Sequence, residues 1–222
     1  MKTTAIIVAA GSGTRFNSDT PKQFIEINGK PILQHTIEKF EVCRFVDSIV
    51  LVLAEPFVAT FRHDSFTKIT HVTAGGDTRA RSVSNGLNTI PSDTSIVVIH
   101  DGARPFVSVD EIERTITKAK LTGAACLVAS LTDTIKSISN KEITATLDRT
   151  KLRRAMTPQA FKTEVLKRAF DGVELDESIT DECLLVERLG HPISIVEGSP
   201  RNIKITTRED LLLAERLVTL DD

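Results

Sequence analysis

Four strand-length runs in the chain are apolar at every position: Ala5-Ile6-Ile7-Val8-Ala9, Ile49-Val50-Leu51-Val52-Leu53, Ile96-Val97-Val98-Ile99, and AACLVA at residues 124–129. A strand with one face in water alternates apolar and polar side chains. A continuous run is buried on both faces, the mark of a mostly parallel sheet flanked by helices. The helices belong between the runs. Leu33, Ile37 and Phe40 share a helical face after Pro31, a good first-turn residue, and Val83, Leu87 and Ile90 share one after Gly75-Gly76. Ser108 with Glu111 spells a capping box ahead of Ile112 and Ile116. Thr207 with Asp210 opens a last helix whose apolar face is Leu211, Ala214 and Leu217. The fold class expected is α/β.

One stretch breaks the alternation of strand and helix. Residues 133–154 read DTIKSISNKEITATLDRTKLRR, with Ile135, Ile138, Ile143 and Leu147 spaced by polar residues and a turn at Asn140-Lys141. This predicts a projecting antiparallel β-hairpin arm. A two-stranded arm is marginal alone, so a second subunit is its natural partner.

Composition narrows the function. The 28 Lys+Arg and 30 Asp+Glu leave a net charge of −2, which excludes a broadly basic nucleic-acid coat. With no Trp or Tyr and ten scattered Phe, the chain has little on which to stack bases. At 41% hydrophobic residues it can build a core, and its 222 residues suit one domain over 1–222 with 133–154 as a subregion. No run approaches the ~20 residues of a membrane span, and the start lacks a signal-peptide pattern, so a cytoplasmic location with no membrane partner is expected. Cys43, Cys126 and Cys183 are widely spaced and read as reduced core cysteines.

The chemistry points to phosphates. After the first strand comes AAGSGTRFNSDTPKQF, where Ala10, Gly11 and Gly13 let the backbone approach an anion and Arg15 and Lys22 supply two cations. The dinucleotide fingerprint and the P-loop both fail here, because Phe16-Asn17 stand where Gly or Gly-Lys is required. An Arg fork and a Lys point charge suit a polyphosphate that gains charge during reaction, although either cation alone reads as surface. HDGARPF, residues 100–106, follows the third run, and ligands in open α/β sheets sit outside the carboxyl ends of the strands. Asp101 there could hold Mg²⁺ bridging phosphates, or merely cap the turn. His100 reads as structural, since no Ser or Cys nucleophile motif accompanies it. In AGGDTRARS, residues 74–82, the Gly-rich turn with Asp77 and Ser82 could read a base edge.

Taken together, AAGSGTRF, PKQF, GGDTRARSV, HDGARPF, DTIK, LDR, TPQAF, TDE, EGSPRNIKIT and EDLLLAE resemble the 2-C-methyl-D-erythritol 4-phosphate cytidylyltransferase family over almost the whole chain. The resemblance implies a single Rossmann-like nucleotidyltransferase domain whose β-arm interlocks with its mate in a homodimer. It implies a reaction of CTP with a sugar-alcohol phosphate that needs Mg²⁺ and releases pyrophosphate. It makes Arg15, Lys22 and Lys204 catalytic, sets Asp101 beside the metal, and puts Ala10, Gly11, Gly13, Gly76, Asp77 and Ser82 around the nucleotide. On the alcohol phosphate it implies Arg149, with Thr134 and Arg104 helping across the dimer and Thr157 and Thr180 lining the pocket. A ribitol-5-phosphate cytidylyltransferase would share AAG, PKQF, TPQ and NIK, while HDGARPF, LDR and TDE look more like the methylerythritol enzyme. A non-catalytic CTP-binding module is the alternative from another class, against which the pair Arg15 and Lys22 argues.

Overall fold

The computed structural model describes residues 1–11 and 21–219. In chain order the elements are β1 (Lys2–Ala9), β2 (Glu26–Ile27), β3 (Lys30–Pro31), α1 (Ile32–Val42), β4 (Ser48–Leu53), α2 (Glu55–Val58), β5 (Ile69–Ala74), α3 (Arg79–Leu87), β6 (Thr94–Asp101), α4 (Val109–Thr122), β7 (Ala124–Ser130), β8 (Lys136–Ser139), β9 (Glu142–Thr146), β10 (Arg153–Lys162), α5 (Thr163–Phe170), α6 (Glu182–Arg188), β11 (Ser194–Glu197) and α7 (Arg208–Val218). Short 3₁₀ turns occupy Lys22–Phe24 and Arg149–Lys151.

All four apolar runs are strands of one seven-stranded sheet, ordered β11-β7-β10-β6-β1-β4-β5. The pairs β1/β4, β1/β6, β4/β5 and β7/β11 are parallel, and β10 alone runs antiparallel, between β6 and β7. Period-two geometry then sorts the side chains into two layers. Ala5, Ile7, Ile49, Leu51 and Leu53 pack with Leu33, Ile37 and Phe40 of α1 and Ile112 and Ile116 of α4. On the other face Ile6, Val50 and Val52 pack with Val83 and Leu87 of α3, Val165 and Leu166 of α5, and Val186 of α6. A residue every two along each strand is therefore claimed by each layer, which is why the runs had to be apolar throughout.

Both capping boxes form: Ser108 and Glu111 open α4, Thr207 and Asp210 open α7. Three local expectations shift by a residue or two. Pro31 caps α1 from outside the helix, since its ψ of 140° is extended. Helix α3 stops at Leu87 with Asn88 as its cap, so Ile90 packs against the core from a loop. On α7, Leu211 and Val218 pack around buried Ala214, with Val218 in the place expected of Leu217.

The hairpin forms as β8 and β9, with Ile138 opposite Ile143. Asn140 and Lys141 take φ of 49° and 67°, the positive values that a two-residue type I′ hairpin turn requires. Ile138 and Ile143 are 71% and 67% exposed. The arm ends sooner than expected, because Arg153 and Arg154 already pair with Ser130 and Ala129 in the main sheet. The three cysteines are free and buried.

Candidate active site

Strand order places the site. From β1 the chain steps outward to β4 and β5, then returns to lay β6 on the opposite side of β1, so the connections diverge between β1 and β6. A crevice opens at such a switch point, outside the carboxyl ends of the two strands. Those ends carry Ala10-Gly11 and Asp101, tied together where the Gly102 amide donates to the Val8 carbonyl at 2.8 Å.

Two cavities meet there. The larger, about 460 Å³, is lined by residues that include Ala10, Gly11, Lys22, Gly76, Asp77, Ser82, Asp101 and Lys204. The smaller, about 230 Å³, is lined by residues that include Asp101, Arg104, Thr157, Thr180 and Lys204. Asp101, Lys204 and Arg79 line both and form the wall between them. Ala10, Gly11, Gly76, Asp77 and Ser82 thus line the larger cavity, and Arg104, Thr157 and Thr180 the smaller.

The wall is a buried ion cluster. Asp101 Oδ1 accepts from Arg79 Nε at 3.1 Å, and Oδ2 accepts from Arg104 Nε at 3.2 Å and pairs with Lys204 Nζ at 3.0 Å. Burial alone would push the carboxyl up, but Arg79, Lys204 and Arg104 outweigh it and hold Asp101 well below the usual carboxylate range. Lys22 Nζ donates to the Ile205 carbonyl at 3.3 Å, which brings the PKQF cation beside the NIKIT segment that carries Lys204.

On the nucleotide side, Thr78 caps α3 and Gly75-Gly76 make the turn before it. A Cβ on Gly75 would lie 2.2 Å from Ala10 Cβ, so only glycine lets this turn close against the end of β1. Ser82 accepts the Gly76 amide at 3.0 Å and gives its own proton to the Thr78 carbonyl at 2.9 Å, holding the turn in shape. Asp77 is exposed at the cavity edge.

On the acceptor side, a register shift between Ala155 and Gln159 of β10 releases Thr157 from the β7 ladder. Thr157 Oγ1 accepts the Asp101 amide at 3.1 Å and lies 3.1 Å from His100 Nδ1. His100 Nε2 faces the Arg104 carbonyl at 3.1 Å, a pure acceptor, so Nε2 carries the ring proton and Nδ1 accepts from Thr157. Burial lowers the His100 pKa to about 4, leaving the ring neutral and structural, as its sequence context suggested. One Thr157 lone pair stays open, so toward a ligand that hydroxyl can only accept.

Arg104 lines the smaller cavity of the chain that carries it. Its guanidinium donates to Asp101 and, through NH1, to the Asn202 carbonyl at 3.0 Å. Thr134 and Arg149 are on the exposed arm, with the Arg149 guanidinium donating to the Thr132 carbonyl, and neither lines the two cavities. Gly13 and Arg15 fall outside the described residues.

Arg79 was given no role by the sequence, and Glu182 was noted there only as part of TDE. Arg79 bridges Asp101 and Glu182, with NH1 2.7 Å from Glu182 Oε1, and Glu182 is completely buried. The signal was present, since Arg79 opens α3 in a first turn with no acidic residue, the wrong helix end for a cation unless something else holds it.

Among the described residues, no cluster of three or more His, Cys, Asp or Glu could cage a metal. Asp101 could offer Mg²⁺ a buried carboxylate in the nucleotide cavity, where among the described residues Oδ1 takes one partner and Oδ2 two. A single carboxylate suits an ion that draws its remaining ligands from phosphates and water.

The family model for 2-C-methyl-D-erythritol 4-phosphate cytidylyltransferase matches residues 3–220. A protein of that name from Syntrophus aciditrophicus is 41% identical, over 100% of this chain and 97% of its own. One from Clostridium novyi is 42% identical, over 98% and 96%. The crystal structure of the Francisella tularensis 2-C-methyl-D-erythritol 4-phosphate cytidylyltransferase superposes with a TM-score of 0.82 at 35% identity, covering 97% of this chain and 99% of that one. With the switch-point crevice, its two cavities and this full-length likeness in hand, the chain belongs to the 2-C-methyl-D-erythritol 4-phosphate cytidylyltransferase family.

Proposed function

We propose that the protein joins CTP and 2-C-methyl-D-erythritol 4-phosphate to give CDP-methylerythritol and pyrophosphate, a step of the non-mevalonate isoprenoid pathway. The observation that carries this reading is the shared wall. A triphosphate in the larger cavity and an alcohol phosphate in the smaller one would meet across Asp101, Arg79 and Lys204. An oxygen of the acceptor phosphate attacks the α-phosphorus as the bond to the bridging α–β oxygen breaks, and the pyrophosphate leaves with that electron pair. Positioning and charge neutralisation suffice, and no covalent enzyme intermediate is called for.

The roles divide along the wall. Lys204 and Lys22, with Arg15, neutralise charge gathering on the α-phosphate. Asp101 holds Lys204 between the two phosphates. The turn at Gly76, with Asp77 and the backbone at Ala10, Gly11 and Gly13, receives the nucleotide, and Ser82 keeps that turn shaped. Arg104, Thr157 and Thr180 face the acceptor. Mg²⁺ on the triphosphate, with Asp101 as the protein carboxylate, would screen the phosphate charge. In a homodimer joined by the arms, Thr134 and Arg149 would be carried to the acceptor cavity of the other subunit. The unpaired, buried cysteines agree with a cytoplasmic enzyme.

The test is pyrophosphate release with CTP and Mg²⁺, run side by side with 2-C-methyl-D-erythritol 4-phosphate and D-ribitol 5-phosphate. Release with the first alone is expected. Release with the second alone would move the acceptor, and release with neither would leave a CTP-binding module.

A further inference from the structure

The wall between the cavities contains one cation whose position is fixed from behind. Arg79 is the first residue of α3, and its guanidinium has two carboxylates at once: Nε on Asp101 at 3.1 Å and NH1 on Glu182 at 2.7 Å. Asp101 faces the cavities. Glu182, the first residue of α6, does not line either of them and is 0% exposed. Among the described residues its Oε2 has no hydrogen-bond partner.

A buried carboxylate with one oxygen unpaired costs stability, and well-packed apolar residues in place of the whole Arg79–Glu182 pair would serve the core as well or better. The half-used carboxylate therefore needs a reason. Geometry supplies one. Arg104 and Lys204 both pull on Asp101 Oδ2, and among the described residues Arg79 alone occupies Oδ1. The plane of the Asp101 carboxylate, and the point at which it holds the Lys204 ammonium, thus depend on where the Arg79 fork is aimed. A planar fork held at two of its nitrogens has its direction set, whereas a fork held at one can swing.

We propose that Glu182 and Arg79 form a positioning pair: Glu182 anchors the Arg79 guanidinium so that Arg79 orients Asp101, and with it Lys204, at the boundary between the nucleotide and acceptor cavities. Neither residue needs to touch the reacting atoms for this. The inference rests on the cytidylyltransferase reading for its kinetic consequence and on the structure alone for the pairing.

The experiment has a kinetic and a spectroscopic arm. Glu182→Gln keeps the shape and the carbonyl acceptor while removing the charge. Its kcat is expected to fall about 10- to 100-fold, the scale of a small misplacement away from the chemistry. KM for CTP and for the acceptor should change by less than about threefold, because the loss lies in the transition state. Arg79→Lys keeps the charge and removes the fork, and should lose kcat to a similar extent. The double variant should be no worse than Arg79→Lys alone, since Glu182 acts through Arg79. Additive losses, or wild-type kcat in Glu182→Gln, would overturn the proposal. So would a loss of activity that merely tracks a loss of folded protein. If Glu182→Gln does not fold, Arg79→Lys decides, and unchanged kcat there is equally fatal.

The second arm needs no substrate. In the wild-type protein the Arg79 Nε–H resonance should exchange slowly with water, and in Glu182→Gln about tenfold faster. Equal exchange rates would show that Glu182 does not hold the guanidinium. A wild-type protein inactive with both alcohol phosphates would end the cytidylyltransferase reading, yet the exchange experiment would still judge the pair.

Discussion

The Thr157 hydroxyl donates to Nδ1 of His100, because the His100 ring has already committed its proton to the Arg104 carbonyl. The same hydroxyl accepts the Asp101 amide. Thr157 is therefore the joint between β10 and β6. Replacing it with Val, a near-isostere, leaves a buried ring nitrogen and a buried amide without partners. Thr157→Val should cost about 1–3 kcal/mol in denaturant unfolding, while Thr157→Ser should cost much less. Equal losses in the two variants would mean that the methyl group matters more than the hydroxyl.

His100 makes stability depend on pH in a defined window. Its pKa is lowered from 6.5 to about 4, by burial first, with Asp101 raising it and Arg104 and Arg79 lowering it. Between those values the unfolded chain binds a proton that the folded protein refuses. The stabilisation from the neutral ring is complete above pH 6.5 and is lost as pH falls toward 4, by about 3 kcal/mol in all. In His100→Gln this component of the slope should vanish, and unfolding free energies measured at steps between pH 6.5 and 4 would reveal it. A wild-type slope retained in the variant would assign the effect to other groups.

The two described lysines of the site should separate turnover from binding. Lys204→Met and Lys22→Met keep the apolar stems and remove the charges. Each is expected to lower kcat by about 10²–10³-fold, as loss of a transition-state charge partner does, with a smaller change in the Kd of CTP measured by calorimetry. Parallel losses in Kd and kcat would make them ground-state phosphate anchors.

The arm supplies a prediction about assembly. Ile138 and Ile143 face each other across the hairpin, and both are largely exposed. With the arms joining two copies as proposed, the protein should sediment as a dimer, Ile143→Asp should shift it to monomer and lower activity, and Arg149→Ala should raise the acceptor KM without changing sedimentation. A dimer that survives Ile143→Asp would place the subunit contact elsewhere.

What could be read from the chain follows from range. The four apolar runs announced the parallel core because burial on both faces leaves its mark at every position. The capping boxes and the Asn140-Lys141 turn were legible because their determinants are three residues apart or fewer. β10 was hidden: ARG-rich at its start, interrupted by Pro158 and polar at Gln159, it has no run of its own, and its place is set by β6 and β7 on either side. β5 and β11 are sheet edges whose partly exposed sequences lack the continuous pattern. Within the site, single residues such as Lys22 and Asp101 stood out by motif. The Arg79–Glu182 pair spans 103 positions and exists only once α3 and α6 have met.

The antiparallel strand in the middle of the sheet also orders assembly. β5, β4, β1 and β6 are contiguous in the sheet and come from the first 101 residues, whereas β7 is hydrogen-bonded to that half-sheet through β10, which is made after it. During synthesis the first half-sheet can close by itself, and β7 must wait with its edge unsatisfied until residue 162 has emerged. Asp101 waits longer still, since its partner Lys204 lies well beyond β10 in the sequence. A nascent chain thus holds a buried acid without one of its cations until residue 204 has emerged, and ligand competence can come only after that.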